Sequence, residues 1–210
     1  MNTSTRLQFQ EAEEHIEKDL GEDIDDLLAF PKYIIIETVN TCNARCVFCP
    51  IDFSKPAKLM SDDLFDSIVN DLAENAEKIR KVMLYMDGEP LIDKKLPERI
   101  KKLKKAGIKI VNISTNASLL DQKRGIKLLE SGLDEIYINV DSLKKEVFEE
   151  IRVRLNFDDV YNNTINFISL RNQLNPNLRI RIQAVVGEKN YAEVRDWGKH
   201  WEPFLKKNDI

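Results

Sequence analysis

The densest chemistry in this sequence is a run of three cysteines, Cys42-Asn-Ala-Arg-Cys46-Val-Phe-Cys49, spaced C-x3-C-x2-C. Three thiolates within eight residues can wrap one soft metal centre, because sulfur ligands favour zinc and iron–sulfur clusters over hard cations. An odd number packed this closely does not read as a disulfide framework. Unreactive free cysteines prefer apolar surroundings, whereas these stand among Asn40, Thr41, Asn43 and Arg45. A structural zinc would need a fourth ligand from His15, His200 or a carboxylate. A three-cysteine iron–sulfur cluster has the opposite logic, since it leaves one iron open to an exogenous molecule. Other polar groups recur downstream: Asp87-Gly88-Glu89-Pro90, Thr115-Asn116-Ala117 and Asn139-Val140-Asp141.

Each of these groups follows a short β-branched run. Strands are expected over Tyr33 to Val39, Lys81 to Met86, Lys109 to Ser114, Glu135 to Val140 and Leu178 to Val186. Helical periodicity lies between them, over 62–78, 94–106, 118–131, 144–152, 157–172 and 191–206. Ser61 reads as an N-cap, and Gly107 and Gly132 as helix stops. Residues 1–30 hold an acidic helical pattern, centred on 5–28 and interrupted by Gly21, that is expected to be an appendage to a domain over 31–210. Strands alternating with helices give an α/β class built on a parallel sheet, with strands buried on both faces. In such sheets function gathers at the carboxyl ends of the strands. The cysteines and every polar group named above fall on that rim.

The bulk composition narrows the partners. Lys and Arg total 32 against 36 Asp and Glu, a net charge of −4, which supplies no basic field for gripping nucleic acid. A hydrophobic fraction of 42% supports a sizeable core. No apolar run approaches the ~20 residues of a membrane span. The first twenty residues have no signal-peptide core, so a cytoplasmic protein with no membrane partner is expected.

C-x3-C-x2-C with an aromatic, Phe48, before the last cysteine resembles the signature of the radical S-adenosylmethionine (radical SAM) enzymes. The later groups resemble that family's Gly-Gly-Glu-Pro, Thr-Asn-Gly and Ser-Leu-Asp-Gly motifs, in the same order at the ends of successive strands. The resemblance runs from about residue 31 onward. Its pattern is closest to members that carry a cysteine-rich auxiliary-cluster (SPASM or twitch) domain after the barrel, although no further cysteines follow here. It implies a partial TIM-like (β/α) barrel, and an oxidoreductase in which Cys42, Cys46 and Cys49 hold a 4Fe-4S cluster. SAM chelates the open iron and is cleaved to a 5′-deoxyadenosyl radical, which takes hydrogen from a peptide or small-molecule substrate. An electron donor such as flavodoxin or ferredoxin would be the partner.

For the other positions the resemblance implies contacts to SAM. Gly88, Glu89 and Pro90 would present acceptors to its amino group, the Glu89 carboxylate among them. Thr115, Asn116, Asn139 and Asp141 would bind ribose or carboxylate. Arg152, with Arg154 as a competitor, would pair with the SAM carboxylate, while Phe48 and the Val185-Val186-Gly187 segment would flank adenine. The sequence departs from the family at Asp87 and Ala117, each standing where Gly is usual. Five strands are countable where the family's barrel has six, so an incomplete barrel with an open edge after the fifth strand is expected. The alternative is a non-catalytic iron–sulfur or zinc-binding module derived from such a domain.

Overall fold

The computed structural model describes residues 30–209; the appendage expected over residues 1–30 lies outside them except for Phe30. Strand β1 (Tyr33–Ile35) leads to the cysteine loop, in which Arg45–Cys46 forms the short strand β2. Helix α1 (Asp62–Ala73), β3 (Lys81–Met83), α2 (Leu96–Lys105), β4 (Val111–Thr115), α3 (Gln122–Leu129) and β5 (Glu135–Asn139) follow. Then come α4 (Lys145–Ile151), β6 (Arg152–Val153), α5 (Phe157–Leu174), β7 (Arg179–Gln183) and α6 (Val194–Trp201). Five strands form one parallel sheet in the order β1-β3-β4-β5-β7, so the class and the strand count agree with expectation. Among the described residues β1 and β7 are its edges and the barrel is not closed. β2 and β6 pair antiparallel as a separate ribbon that the sequence did not announce.

Local chemistry sets the boundaries. Ser61 accepts a hydrogen bond from Leu64 N at 3.3 Å to start α1, and Asp121 and Asn156 cap α3 and α5 in the same way. After α2 and α3 the chain turns through Gly107 and Gly132, whose φ of 91° and 86° are left-handed and cost glycine least. The strands are shorter than expected. Their last apolar residues, such as Ile36, Leu84 and Val140, are buried but already belong to the loops that build the rim. The last helical pattern is also divided, into a 3-10 turn at Tyr191–Glu193, α6, and a second 3-10 turn at Glu202–Phe204, where Pro203 interrupts it.

The core lies between the sheet and its helices. Val82, Val111, Ile113, Ile136, Ile138, Ile180 and Ile182 point one way and pack with Phe65, Ile100, Leu103, Leu128 and Phe167 of the helices. Each such side chain contributes about 1.5–3 kcal/mol by leaving water. The opposite face is polar and unevenly covered among the described residues, with Asn112 and Glu135 buried. Register places Asn112 beside Glu135 and Arg179, Ser114 beside Tyr137 and Arg181, and Asn139 beside Gln183. Tyr33 and Ile35, on the same alternation, are half exposed. The signal was present in Glu-Ile-Tyr-Ile-Asn and Arg-Ile-Arg-Ile-Gln, whose strict period of two marks strands with one polar face.

After α6 the chain returns to the sheet. The Asp209 carboxylate accepts from the Arg171 guanidinium through Nη1 (2.9 Å) and Nη2, from Ile180 N at 2.9 Å and from Lys206 N at 2.8 Å, fastening this segment to the start of β7.

Candidate active site

The cysteine loop is shaped by its own backbone. An antiparallel bridge joins Val39 to Leu59, and Asn40 accepts from Lys58 N and donates to Pro56 O, which turns the chain out of β1. Arg45 folds back, donating to Cys42 O at 2.9 Å and Ala44 O at 2.7 Å, with its guanidinium 3.3 Å from the centre of the Phe53 ring. Cys46 then pairs with Arg152 across the β2–β6 ribbon, and a tight turn brings Cys49 N to Cys46 O at 3.1 Å. The three thiols, all partly buried, thereby line one cleft of about 240 Å³.

The second wall is the turn after β3. A Cβ on Gly88 would lie 2.0 Å from Val39 O and 3.0 Å from Thr41 O, so only glycine fits against this backbone. Glu89 N donates to Thr41 O at 2.9 Å, and the N–H groups of Asp87 and Gly88 both donate to one Glu37 oxygen at 2.9 Å. Asp87 is exposed and lines the cleft. Pro90 opens a buried 3-10 turn behind it.

The Glu89 carboxylate accepts from Leu91 N at 3.0 Å, Thr115 Oγ1 at 2.7 Å and Asn116 N at 2.8 Å, and so ties the turn after β3 to the end of β4. Burial pushes its pKa up, while these three donors pull it down. Thr115 is likewise internal, its hydroxyl bridging Glu89 and Ala117 N. Ala117 adopts φ 58°, a left-handed angle taken here without glycine's freedom. Asn116 reaches the cleft: its amide donates to Asn43 Oδ1 at 3.0 Å and lies 3.7 Å from Cys42 Sγ. Asn139 also lines the cleft, held by Ser114 Oγ, Thr115 O and Gln183.

Arg152 Nε donates to Asp141, whose other oxygen accepts from Val185 N at 2.9 Å. The reason is burial, since a charge withdrawn from water requires a partner. Arg152 still borders the cleft, with Nη1 3.5 Å from Cys46 Sγ and its guanidinium 5.1 Å from the Phe48 ring centre. Arg154 is exposed at φ 75° and stands away. Phe48 is 42% exposed, so it is not a core aromatic. Val185 lines the cleft, whereas Val186 lines a different hollow and open space surrounds Gly187.

Burial pushes both the Cys42 and Cys46 thiols up. Ala44 N–H opposes this at Cys42, where Glu89 and the other two thiols add to it; at Cys46 the Arg152 charge and hydrogen bond oppose it. Burial opposes the Arg152 charge, but Asp141 and then Cys46 hold its pKa above the usual value.

The donor set decides which group fits. Three thiols without an imidazole suit a soft metal centre. His200 cannot complete a zinc site, because it is bound to Tyr161 Oη at 3.0 Å among Trp201 and Phe204; His15 lies outside the described residues. Three cysteines lining one cleft fit a three-cysteine iron–sulfur cluster, which leaves one iron open to an exogenous molecule. Sequence reasoning missed Glu37, Asn43, Tyr85 and Ser114. Only Tyr85 and Ser114 carried a signal, the alternation that puts them on the face of Asn139.

Comparison with known proteins gives the family context. A family model described as "Radical SAM superfamily" matches residues 36–171. A GTP 3′,8-cyclase of Clostridium perfringens is 32% identical over 170 residues, 78% of this chain and 50% of that protein. A probable GTP 3′,8-cyclase of Methanococcus maripaludis is 35% identical over 121 residues, 57% of this chain and 39% of the relative. The chain thus spans two-fifths to half the length of these relatives. Among solved structures, Streptococcus suis SuiB bound to precursor peptide SuiA aligns with a TM-score of 0.69 at 18% identity, covering 97% of this chain and 43% of that one. The enzyme anSMEcpe with bound AdoMet aligns at 0.65 and 19% identity, covering 81% and 48%.

Proposed function

The chain belongs to the radical SAM superfamily, and from that premise we propose that it binds a 4Fe-4S cluster and SAM and abstracts hydrogen from a peptide or small-molecule substrate. The observation that carries this reading is the convergence of Cys42, Cys46 and Cys49 on one cleft that also holds Gly88, Asn116, Asn139 and Arg152. When bound, the cluster supplies the electron that splits SAM into methionine and a 5′-deoxyadenosyl radical.

The protein's part is placement. The three cysteines are the cluster ligands. The Asn116 amide beside Cys42 and the Arg152 guanidinium beside Cys46 offset negative charge on those sulfurs, and such contacts tune a cluster's potential. The turn at Gly88 presents backbone acceptors to the SAM ammonium, at a spacing fixed by Glu37 and Thr41. Glu89 acts as a positioning residue, tying that turn to Thr115 and Asn116. Asn139, Val185 and Phe48 form the wall for the adenosine. Asp141 orients Arg152, whose guanidinium is left to meet the SAM carboxylate.

The substrate class has two sources of support. SuiB is described with a precursor peptide, while the curated relatives are named for a nucleotide. An electron donor such as flavodoxin or ferredoxin, and a cytoplasmic setting, complete the proposal. Among the described residues no helix is long and apolar enough to cross a membrane.

Anaerobic reconstitution with iron and sulfide should give a brown protein that cleaves SAM to 5′-deoxyadenosine under strong reductant. Cys46→Ala should lose the charge-transfer absorbance, acid-labile sulfide and cleavage together. A wild type that retains zinc without sulfide, or a Cys46→Ala variant with cluster and cleavage intact, refutes the reading and favours a non-catalytic module.

A further inference from the structure

The polar face of the sheet continues from the cysteine cleft toward the amino ends of the strands. Ser114, Asn139 and Tyr85 line the cleft itself. Tyr85 meets Tyr137 edge-on, with ring centres 6.3 Å apart, and Tyr137 is registered beside Arg181, whose guanidinium lies 5.2 Å from its ring centre. One further step down, Lys81 (2.6 Å) and Arg179 both pair with Glu135, and Asn112 is buried beside them. In that row the single carboxylate is already shared by two cations.

Arg181 is left out of this accounting. It makes no ion pair among the described residues, and a guanidinium stacked on an aromatic face keeps its in-plane N–H donors free. Three cations against one carboxylate give this face a local excess of positive charge in a chain whose net charge is −4. Arg181 shares the register row of Tyr137 and of Ser114, which lines the cleft, and lies two residues along β7 from Gln183, the partner of Asn139, a distance of about 7 Å at ~3.3 Å per residue. A small molecule spans that interval.

We propose that Arg181, stacked on Tyr137, binds an anionic group of a small-molecule substrate, a carboxylate or a phosphate, and so holds the rest of that molecule against the cysteine cleft. This rests on the proposed function only in taking the cleft as the place of reaction.

The test is calorimetric binding of two probes, GTP as a phosphate source and malonate as a carboxylate source, to the anaerobically reconstituted chain at physiological ionic strength. At least one probe should bind. Arg181→Gln should weaken it by about tenfold to a hundredfold, the worth of a hydrogen bond to a charged group. Arg181→Lys, which keeps the charge but not the planar fork, should fall between. Arg179→Gln removes the same charge from the neighbouring row and should change affinity by less than about threefold, because screening weakens a generic field. Circular dichroism verifies that each variant is folded, and Arg181→Lys carries the test if Arg181→Gln is not. The probe that binds identifies the source of the anion. Binding of neither probe by the wild type, or equal losses at positions 181 and 179, overturns the proposal. A chain that assembles its cluster and cleaves SAM yet binds neither probe overturns this site alone. Arg181-dependent binding without a cluster overturns the proposed function alone.

Discussion

Replacing Gly88 with alanine isolates the contact that sets the cleft's geometry. The new Cβ would sit 2.0 Å from Val39 O, and Cβ contacts below 3.0 Å essentially never occur, so the turn and the loop must part by at least 1 Å. The obstacle is backbone and cannot rotate aside. Parting stretches Glu89 N to Thr41 O beyond hydrogen-bonding range and weakens the two N–H bonds to Glu37. Overpacking of this kind costs about 1–3 kcal/mol, and each weakened hydrogen bond about 0.5–1.5 kcal/mol. Over the three bonds the expected total is about 2.5–7.5 kcal/mol, a large part of a typical domain stability of about 5–15 kcal/mol. In urea unfolding of the cluster-free chain, the midpoint should fall by about 1–3 M at an ordinary slope of ~2.5 kcal/mol per M. Thr41 adjoins Cys42, so iron bound per chain after reconstitution should fall as well. A Gly88→Ala protein with an unchanged urea midpoint and full iron would refute the close-approach argument.

Two further perturbations address the supports around the site. Thr115→Val removes the hydroxyl that bridges the Glu89 carboxylate and Ala117 N–H, and should lower stability by about 1–3 kcal/mol in thermal unfolding; no change would mean that water replaces the hydroxyl. At Asp209 burial works against the charged form, but the donors from Arg171, Ile180 and Lys206 outweigh it and hold the carboxyl below its usual range. A carboxyl lowered in the folded state contributes stability that is present above its unfolded value of ~3.9 and lost as pH falls through the folded one. Asp209→Asn should therefore destabilise at neutral pH, by about 3 kcal/mol for an unpaired buried arginine, and flatten the acid limb of the stability profile. Parallel profiles for the two proteins would remove Asp209 from that limb.

What could be read in advance followed from periodicity and from rare residue types. Alternating β-branched and amphipathic stretches gave the parallel sheet, and placing Cys42, Glu89, Asn116 and Asp141 after successive strands put them on one rim. Partnerships between those residues were not legible, because they depend on distances across strands. Nothing in Glu89 announces that its carboxylate ties Thr115 to Leu91, and nothing in Arg152 announces Asp141. Nothing in Glu37, a charge within an otherwise apolar strand pattern, announces that it holds the N–H groups of the Asp87-Gly88 turn. The polar sheet face was legible in Arg-Ile-Arg-Ile-Gln but was masked by the general rule that parallel sheets are covered on both sides.

The short ribbon between Arg45–Cys46 and Arg152–Val153 has a consequence for assembly order. It stitches the cysteine loop to a segment 106 positions downstream, and the bond from Arg152 to Cys46 spans the same interval. Such long-range closures are slow, since the entropy of closing the loop must be overcome before the contact stabilises anything. The thiols are synthesised well before the guanidinium that borders Cys46. Because the Arg152 charge favours the thiolate, the form that binds metal, closing the ribbon brings Cys46 nearer to its ligating state only after the chain has reached residue 152.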